Sequence, residues 1–162
     1  MAFTPAEVDY LTSQPLARLA TVAPGGQPDV VPVAFEFDGD AFWVGGNGES
    51  VLSTRKVRNV VDGNRHVALV IDDMVSFDPF IARGIRVYGV ADPPVQRDGL
   101  VGPGFYIRVR PLRSWSWNME SQPVGDSWYP ARGAIHQRAT GESSREGPPP
   151  GTRAGRSAST GG

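Results

Sequence analysis

Alternation between apolar and polar positions limits the fold of this chain more than any other feature. From Val31 to Phe37 every second residue is Val or Phe, the pattern of a strand with one face on a core. Asp38-Gly39 then signals a hairpin turn, and 41–45 returns as a second strand. Further stretches with strand composition are 16–22, 66–72, 86–92 and 105–113.

Only two short helices interrupt these strands. Thr4 and Glu7 have the spacing of a capping box around Pro5, so a helix is expected to run to about Ser13. A second helix is expected over 56–61. Because strands make up most of the chain, we predict a mainly β fold, a six-stranded antiparallel barrel whose closure removes exposed sheet edges.

Composition excludes several classes of protein and site. The 162 residues suffice for one domain, and 40% hydrophobic residues predict a globular body. The absence of cysteine excludes disulfides, thiolate metal sites and cysteine nucleophiles. A formal net charge of -1 predicts no strong attraction to nucleic acid or membranes. No apolar run is long enough to span a membrane and no signal peptide is recognisable, so a cytoplasmic protein is expected.

The globular body is expected to end near residue 139. From 140 to 162 the chain consists mostly of Gly, Pro, Ser, Thr and Arg, a composition that buries too little apolar surface to fold. We therefore predict one domain over 1–139 and a disordered tail over 140–162. The tail's spread arginines, Arg145, Arg153 and Arg156, leave RNA binding as a less favoured alternative.

The stretch from Asn47 to Lys56 links a strand to the second helix and has the composition of an anion site. Ser53 and Thr54 are expected to cap the helix with their hydroxyls, where free backbone N–H groups and the positive end of the macrodipole lie. Arg55 adds a planar fork of donors, and Lys56, the only lysine, adds a point charge. This set suits a bound phosphate. The alternative is an ordinary exposed helix start, and the glycines fit neither a Rossmann nor a P-loop fingerprint.

Two further features each have two interpretations. Pro32 cannot donate to a strand ladder, so its strand lies at an edge or leaves a gap on which a flat ring stacks. Asp72, Asp73 and Asp78 resemble a metal site, but they lack histidine partners. A solvated loop is therefore favoured for these carboxylates, and no metal is predicted.

Several short motifs occur in the order that is typical of one superfamily. They are Phe42-Trp43-Val44, Ser53-Thr54-Arg55-Lys56, Asn64-Arg65-His66-Val67-Ala68-Leu69, Arg83-Gly84-Ile85-Arg86-Val87-Tyr88-Gly89 and Ile107-Arg108-Val109-Arg110-Pro111. Over roughly 3–118 the chain resembles the pyridoxamine 5′-phosphate oxidase-like (PPOX class) split β-barrels. It is most similar to the actinobacterial branch that uses the deazaflavin coenzyme F420.

The resemblance implies a fold, an assembly and a set of site residues. The fold is the FMN-binding type of split β-barrel, and the assembly is a homodimer with each cofactor at the subunit interface. The turn Ser53-Thr54-Arg55-Lys56 would hold the cofactor phosphate, and the strand with Pro32-Val33-Ala34 would lie beside the ring system. Trp115 or Trp117 would reach the partner's cofactor; the favoured alternative is that both are plain dimer-core residues.

The implied reaction is hydride transfer between F420 and a small unsaturated organic substrate, with the chemistry carried by the cofactor. Flavin-using members place basic residues on the strand before the phosphate turn, but here no Lys or Arg occurs between Arg18 and Arg55. F420 is therefore preferred to FMN. The alternatives are an FMN-dependent enzyme of the same fold and a non-catalytic F420- or flavin-binding carrier. No catalytic side chain is assigned; water or a residue such as Tyr88 would supply a substrate proton.

Overall fold

The structure is a computed structural model that describes residues 2–136. The predicted tail over 140–162 and the predicted domain limit at 139 lie outside the described residues, so both stay predictions. No helix in the described range is long and apolar enough to cross a membrane.

Strands make up most of the described chain, and all of the strand pairs are antiparallel. The two helices are α1, Pro5–Ser13, and α2, Arg55–Val61, with a 3-10 turn over Ser50–Ser53 before α2. The strands are β1 Leu16–Val22, β2 Pro28–Ala34, β3 Glu36–Phe37, β4 Phe42–Asn47, β5 His66–Ser76, β6 Ile81–Ala91, β7 Val95–Gly99, β8 Gly102–Trp117 and β9 Ala131–Ile135.

The strands form one sheet in the order β2-β1-β5-β6-β8-β4-β3, with β7 and β9 also paired to β8. The predicted mainly β, antiparallel fold is confirmed, and it is a split β-barrel. The described chain contains nine strands rather than six. The sequence analysis missed β7 and β9 because Val-Gln-Arg-Asp-Gly and Ala-Arg-Gly-Ala-Ile lack apolar alternation. Among the described strands both pair only with the long β8, so tertiary pairing overrides their weak local preference.

The core lies on the inner face of the sheet. In β1 the inward residues Ala17, Leu19 and Thr21 alternate with exposed or half-buried neighbours. The largest fully buried apolar side chains are Phe42, Leu11, Leu19, Leu69, Ile71, Ile85 and Ile107. Each contributes about 1.5–3 kcal/mol by leaving water.

Helix α2 packs against the end of this core, and this packing fixes the position of the first turn of the helix. Val57 and Val60 are buried, and the Asn59 side-chain amide donates to Thr21 Oγ1 at 2.9 Å. This buried hydrogen bond anchors the helix to β1. The start of α2 therefore lies beside the turn that joins β1 to β2.

Helix α1 begins as predicted and is anchored through a buried carboxylate. Thr4 Oγ1 accepts from the Glu7 backbone N–H at 3.2 Å, and Glu7 Oε2 accepts from the Thr4 N–H at 2.8 Å. The Glu7 side chain also accepts from Ser116 Oγ at 2.5 Å and from Arg132 Nη1 at 3.0 Å. Glu7 therefore joins α1 to both β8 and β9.

The solvated loop expected for the three aspartates is wrong for two of them. Asp72 and Asp73 lie within β5, which runs four residues beyond the predicted strand end. Asp72 Oδ1 is 2.8 Å from Arg18 Nη1, and Asp73 Oδ1 is 2.9 Å from Arg83 Nε. Facing arginines on neighbouring strands explain how these carboxylates are accommodated in a sheet. Between residues 2 and 136, no three His, Asp or Glu side chains are grouped as a metal site requires.

His136 is held against the first residues of the chain. Its Nε2 is 2.8 Å from Ser114 Oγ, and its ring centroid is 4.3 Å from that of Phe3. Burial lowers the pKa of His136 below its ordinary value of 6.5, although the charge of Glu7 acts in the opposite direction. The folded state therefore favours the neutral imidazole.

Acidification is expected to weaken the fold through His136. Below about pH 6.5 the imidazole of the unfolded chain gains a proton before the folded one does, so the free energy of unfolding falls with pH. The stability that the neutral His136 contributes is present above about pH 6.5 and is lost as the pH falls below that value. Urea unfolding at about pH 8 and about pH 5.5 should show a smaller loss for His136→Gln than for the wild type. His66→Gln is the matched control because His66 is exposed, and an equal loss in all three proteins would contradict the assignment.

Candidate functional site

A cleft of about 360 Å³ lies at the start of α2. It is lined by Pro24, Ser53, Arg55, Arg58, Asn59 and Asp62. Arg55, Arg58 and Asn59 lie within α2, and Asp62 is the residue that caps its C-terminus. Their spacings of three and four place these residues on one face of the helix. Pro24 comes from the β1–β2 turn, so the cleft is formed where that turn meets the helix.

The two hydroxyls of this turn do not cap the helix, and the capping prediction is wrong. Ser53 Oγ donates to the Ser50 carbonyl at 2.8 Å, and Thr54 Oγ1 donates to the Val51 carbonyl at 2.6 Å. Thr54 is the N-cap residue, but its side chain makes no capping hydrogen bond. The 3-10 turn before α2, which the sequence analysis did not predict, supplies the carbonyls that attract these hydroxyls. The cationic side chains are therefore the main candidates for binding an anion at this turn.

Lys56 follows the lining residue Arg55 in the chain but is not itself on the cleft lining, and it is half-buried. Partial burial lowers its pKa, because desolvation disfavours the ammonium. In the described chain no carboxylate lies within ion-pair distance of Lys56. Such a charge carries a desolvation cost that a bound anion would offset.

Within residues 2–136, the cations that lack a carboxylate partner occur in two places. Seven of the eleven arginines between residues 2 and 136 form an ion pair: Arg18, Arg65, Arg83, Arg97, Arg108, Arg110 and Arg132. The other four are Arg55 and Arg58 on α2, and Arg86 and Arg113 on β6 and β8. The sequence analysis missed Arg58, although its spacing of three from Arg55 was a signal that both face one cleft.

Strand β2 pairs only with β1 among the described strands, so the predicted edge position of Pro32 is confirmed. Pro32 is exposed and Ala34 is half-buried on the outer face of the sheet. The Val33 side chain is only 7% exposed and belongs to the core. Of the three residues expected beside a ring system, Pro32 and Ala34 present side chains on the outer face.

Trp115 and Trp117 lie on the same outer face but at a distance from Pro32. The register runs from Pro32 through Arg18, Val70 and Arg86 to Trp115 on five successive strands. At about 4.8 Å per strand, Pro32 and Trp115 are separated by roughly 19 Å measured along the sheet. One subunit therefore does not bring the two tryptophans to the strand of Pro32.

Comparison with known proteins decides the family. The family model described as pyridoxamine 5′-phosphate oxidase matches residues 3–99. The chain belongs to the pyridoxamine 5′-phosphate oxidase family. The predicted resemblance is thereby confirmed at the level of the family, which binds flavins and deazaflavins.

A curated relative indicates the class of reaction. The chain is 37% identical over 123 residues to a 5a,11a-dehydrotetracycline/5a,11a-dehydrooxytetracycline reductase of Streptomyces rimosus, covering 74% of this chain and 86% of that protein. This member of the pyridoxamine 5′-phosphate oxidase family is accordingly an oxidoreductase.

Solved structures with the same fold have diverse descriptions. A conserved hypothetical protein of Mycobacterium tuberculosis has a TM-score of 0.57 at 21% identity, covering 77% of this chain and 94% of that chain. A heme binding protein of Mycobacterium smegmatis has a TM-score of 0.56 at 15% identity, covering 82% of this chain and 59% of that chain. At such identities the likeness shows the fold alone, so the ligand of this family member must be argued from its site.

Proposed function

We propose that this protein is an F420-dependent reductase that transfers a hydride to a carbon–carbon double bond of a small unsaturated organic substrate. The observation that carries the proposal is the cleft at the start of α2. It brings Arg55 and Arg58 together, with Lys56 beside them, and these three cations have no carboxylate partner within the described chain. The reductase name of the relative from Streptomyces rimosus supports the direction of the reaction.

The chemistry of this cleft fits a cofactor with more than one anionic group. Two guanidinium groups and an ammonium provide charge-assisted donors for phosphate oxygens. FMN offers one phosphate, whereas F420 offers a phosphodiester and the carboxylates of its glutamate tail. Three cations exceed the need of a single phosphate, and Asp62 on the same lining opposes a compact, highly charged anion. The absence of Lys or Arg between Arg18 and Arg55 also favours F420.

The protein would contribute binding, orientation and exclusion of water. When bound, the deazaflavin supplies the hydride. Arg55, Arg58 and Lys56 would hold the anionic end, and the edge strand at Pro32 would present a flat surface without a backbone donor. The Tyr88 hydroxyl has no hydrogen-bond partner in the part of the chain that the structure describes. It is available, as water is, to supply the substrate proton.

We also propose that the protein acts as a homodimer, with each cofactor at the subunit interface. The roughly 19 Å between Pro32 and Trp115 supports this assembly, because residues at both ends of one sheet face would meet one cofactor only across two subunits. Leu16 and Val30 on the same face are 45% and 64% exposed, which supplies apolar surface for a partner.

A titration followed by absorbance tests the choice of cofactor. Oxidised F420, reduced F420 and FMN are each added to the purified full chain, and the shift of the cofactor band gives the affinity. We expect F420 to bind at least about tenfold more tightly than FMN, which corresponds to about 1.4 kcal/mol. A yellow preparation that binds FMN more tightly would overturn the assignment to F420 and favour the FMN enzyme. Binding of F420 without oxidation of its reduced form by any unsaturated acceptor would favour the carrier.

A further inference from the structure

The second group of unpaired cations lies within a cluster of aromatic rings on the outer face of β6 and β8. We call Arg86, Tyr88, Arg113 and Trp115 the arginine–aromatic platform. The guanidinium carbon of Arg86 is 4.3 Å from the Trp115 ring centroid and 5.4 Å from that of Tyr88. The guanidinium carbon of Arg113 is 5.3 Å from the Trp115 centroid, and the two aromatic centroids are 4.9 Å apart.

Strand register holds these four side chains together. Arg86 pairs with Trp115 and Tyr88 pairs with Arg113 across β6 and β8, so all four point to one face. Stacking against rings restrains the flat face of each guanidinium and leaves the N–H groups at its edge free to donate. Neither arginine of the platform has a carboxylate within 4 Å in the described range.

The platform is open to a ligand. Tyr88 is 45% exposed, and both arginines are exposed. On the flanking strand β9, Gly133 lies opposite Trp115. A Cβ atom at Gly133 would already be 3.6 Å from the Trp115 ring, so the missing side chain leaves that side of the indole uncovered.

We propose that the platform binds a planar aromatic molecule through an ionised acidic group, either a carboxylate or an enolate. The rings of Trp115 and Tyr88 would contact the planar part, and the edges of Arg86 and Arg113 would donate to the anionic oxygens. The interpretation of the platform as a substrate subsite rests on the proposed function. It restricts the proposed unsaturated substrate to planar, acidic molecules. Arg86 lies about 14 Å from Pro32 by strand spacing, so the platform would serve the cofactor bound beside the partner subunit's edge strand.

A pair of probes with the same ring system and different charge tests the site. The full chain is titrated with 2-naphthoate, which is anionic, and with 2-naphthamide, which is neutral, and binding is followed by calorimetry. We expect the wild type to prefer naphthoate. Arg86→Gln should weaken naphthoate binding by about tenfold or more, because it removes a charge-assisted pair of donors, and it should leave naphthamide binding within about twofold.

A control variant on β8 tests whether the effect of Arg86→Gln comes from removing a guanidinium that has no carboxylate partner. Arg110 on β8 is paired with Asp92 at 3.0 Å, so Arg110→Gln removes a guanidinium that is already neutralised. We expect that variant to bind naphthoate as the wild type does. Gly133→Leu provides a second test, since it covers Trp115 without altering charge and should weaken both probes.

The results separate this inference from the proposed function. Equal binding of both probes by the wild type, or equal loss of naphthoate binding in Arg86→Gln and Arg110→Gln, would overturn the platform as an anion site. F420 affinity is measured on the same variants and should not change in Arg86→Gln. If the wild type does not bind F420, but Arg86→Gln weakens the binding of naphthoate and not that of naphthamide, the cofactor assignment is refuted. The anion site on the platform is then still supported.

Discussion

Replacement of both Arg55 and Lys56 by alanine is expected to weaken F420 binding by about a hundredfold or more. Each cation would donate charge-assisted hydrogen bonds to the anionic end of the cofactor, and hydrogen bonds to charged groups contribute about 1.5–3 kcal/mol each. Arg55 lines the cleft, and the half-buried Lys56 lies beside it. Absorbance titration of the double variant with oxidised F420 measures the loss.

Arg65→Ala is the matched control for this experiment. Arg65 is an exposed arginine shortly after α2, and its Nη2 lies 2.7 Å from Asp92, away from the cleft lining. The control should bind F420 with the wild-type affinity. Unchanged affinity in the Arg55 and Lys56 double variant, with native circular dichroism, would contradict the assignment of this cleft.

Glu7→Ala is expected to lower the free energy of unfolding by about 3 kcal/mol, the largest effect on stability that we predict. The carboxylate is 1% exposed and holds α1 to Ser116 of β8 and Arg132 of β9. Its removal deletes half of the capping box, at about 1 kcal/mol, and leaves the buried Ser116 hydroxyl without an acceptor, at about 1–3 kcal/mol. Arg132 is 47% exposed, so its charge returns to water and adds little. Urea denaturation measures the change.

Two control variants show how much of the stability change is due to the buried contacts of the Glu7 carboxylate. Thr4→Ala removes the other half of the capping box and should cost only about 1 kcal/mol, because the contacts of Glu7 with β8 and β9 remain. Glu120→Ala removes an exposed carboxylate and should change the stability by less than about 0.5 kcal/mol. A loss for Glu7→Ala no larger than that for Thr4→Ala would show that the contacts with β8 and β9 do not stabilise the fold.

Much of the fold could be predicted from local patterns. The capping box of α1 and the strand over 16–22 are confirmed because each depends on residues a few positions apart. The edge position of Pro32 is confirmed for a similar reason, since the missing N–H is a property of that residue alone. Strands β7 and β9 could not be predicted, because their pairing with β8 rather than their own composition makes them strands.

The candidate site also has features that the sequence determines and features that depend on the tertiary structure. The sequence by itself determined that Arg55 and Lys56 lie where a helix begins after a strand, and that no cysteine takes part. Only the tertiary structure turned the hydroxyls of Ser53 and Thr54 back to the 3-10 turn and brought Pro24 against the face of α2 that carries Arg55 and Arg58. These outcomes depend on the path of the backbone before α2, which the Ser-Thr-Arg-Lys motif does not specify.

The arginine–aromatic platform could not be predicted from the sequence. Arg86 and Trp115 are far apart along the chain, and they meet because β6 and β8 pair in one register. That register shifts at the irregularity after Tyr88, and a slip of one residue would move Trp115 to the other face of the sheet. Capping, alternation and charge are local properties that the sequence determines, whereas the neighbours of a side chain across a sheet are decided by the pairing of whole strands.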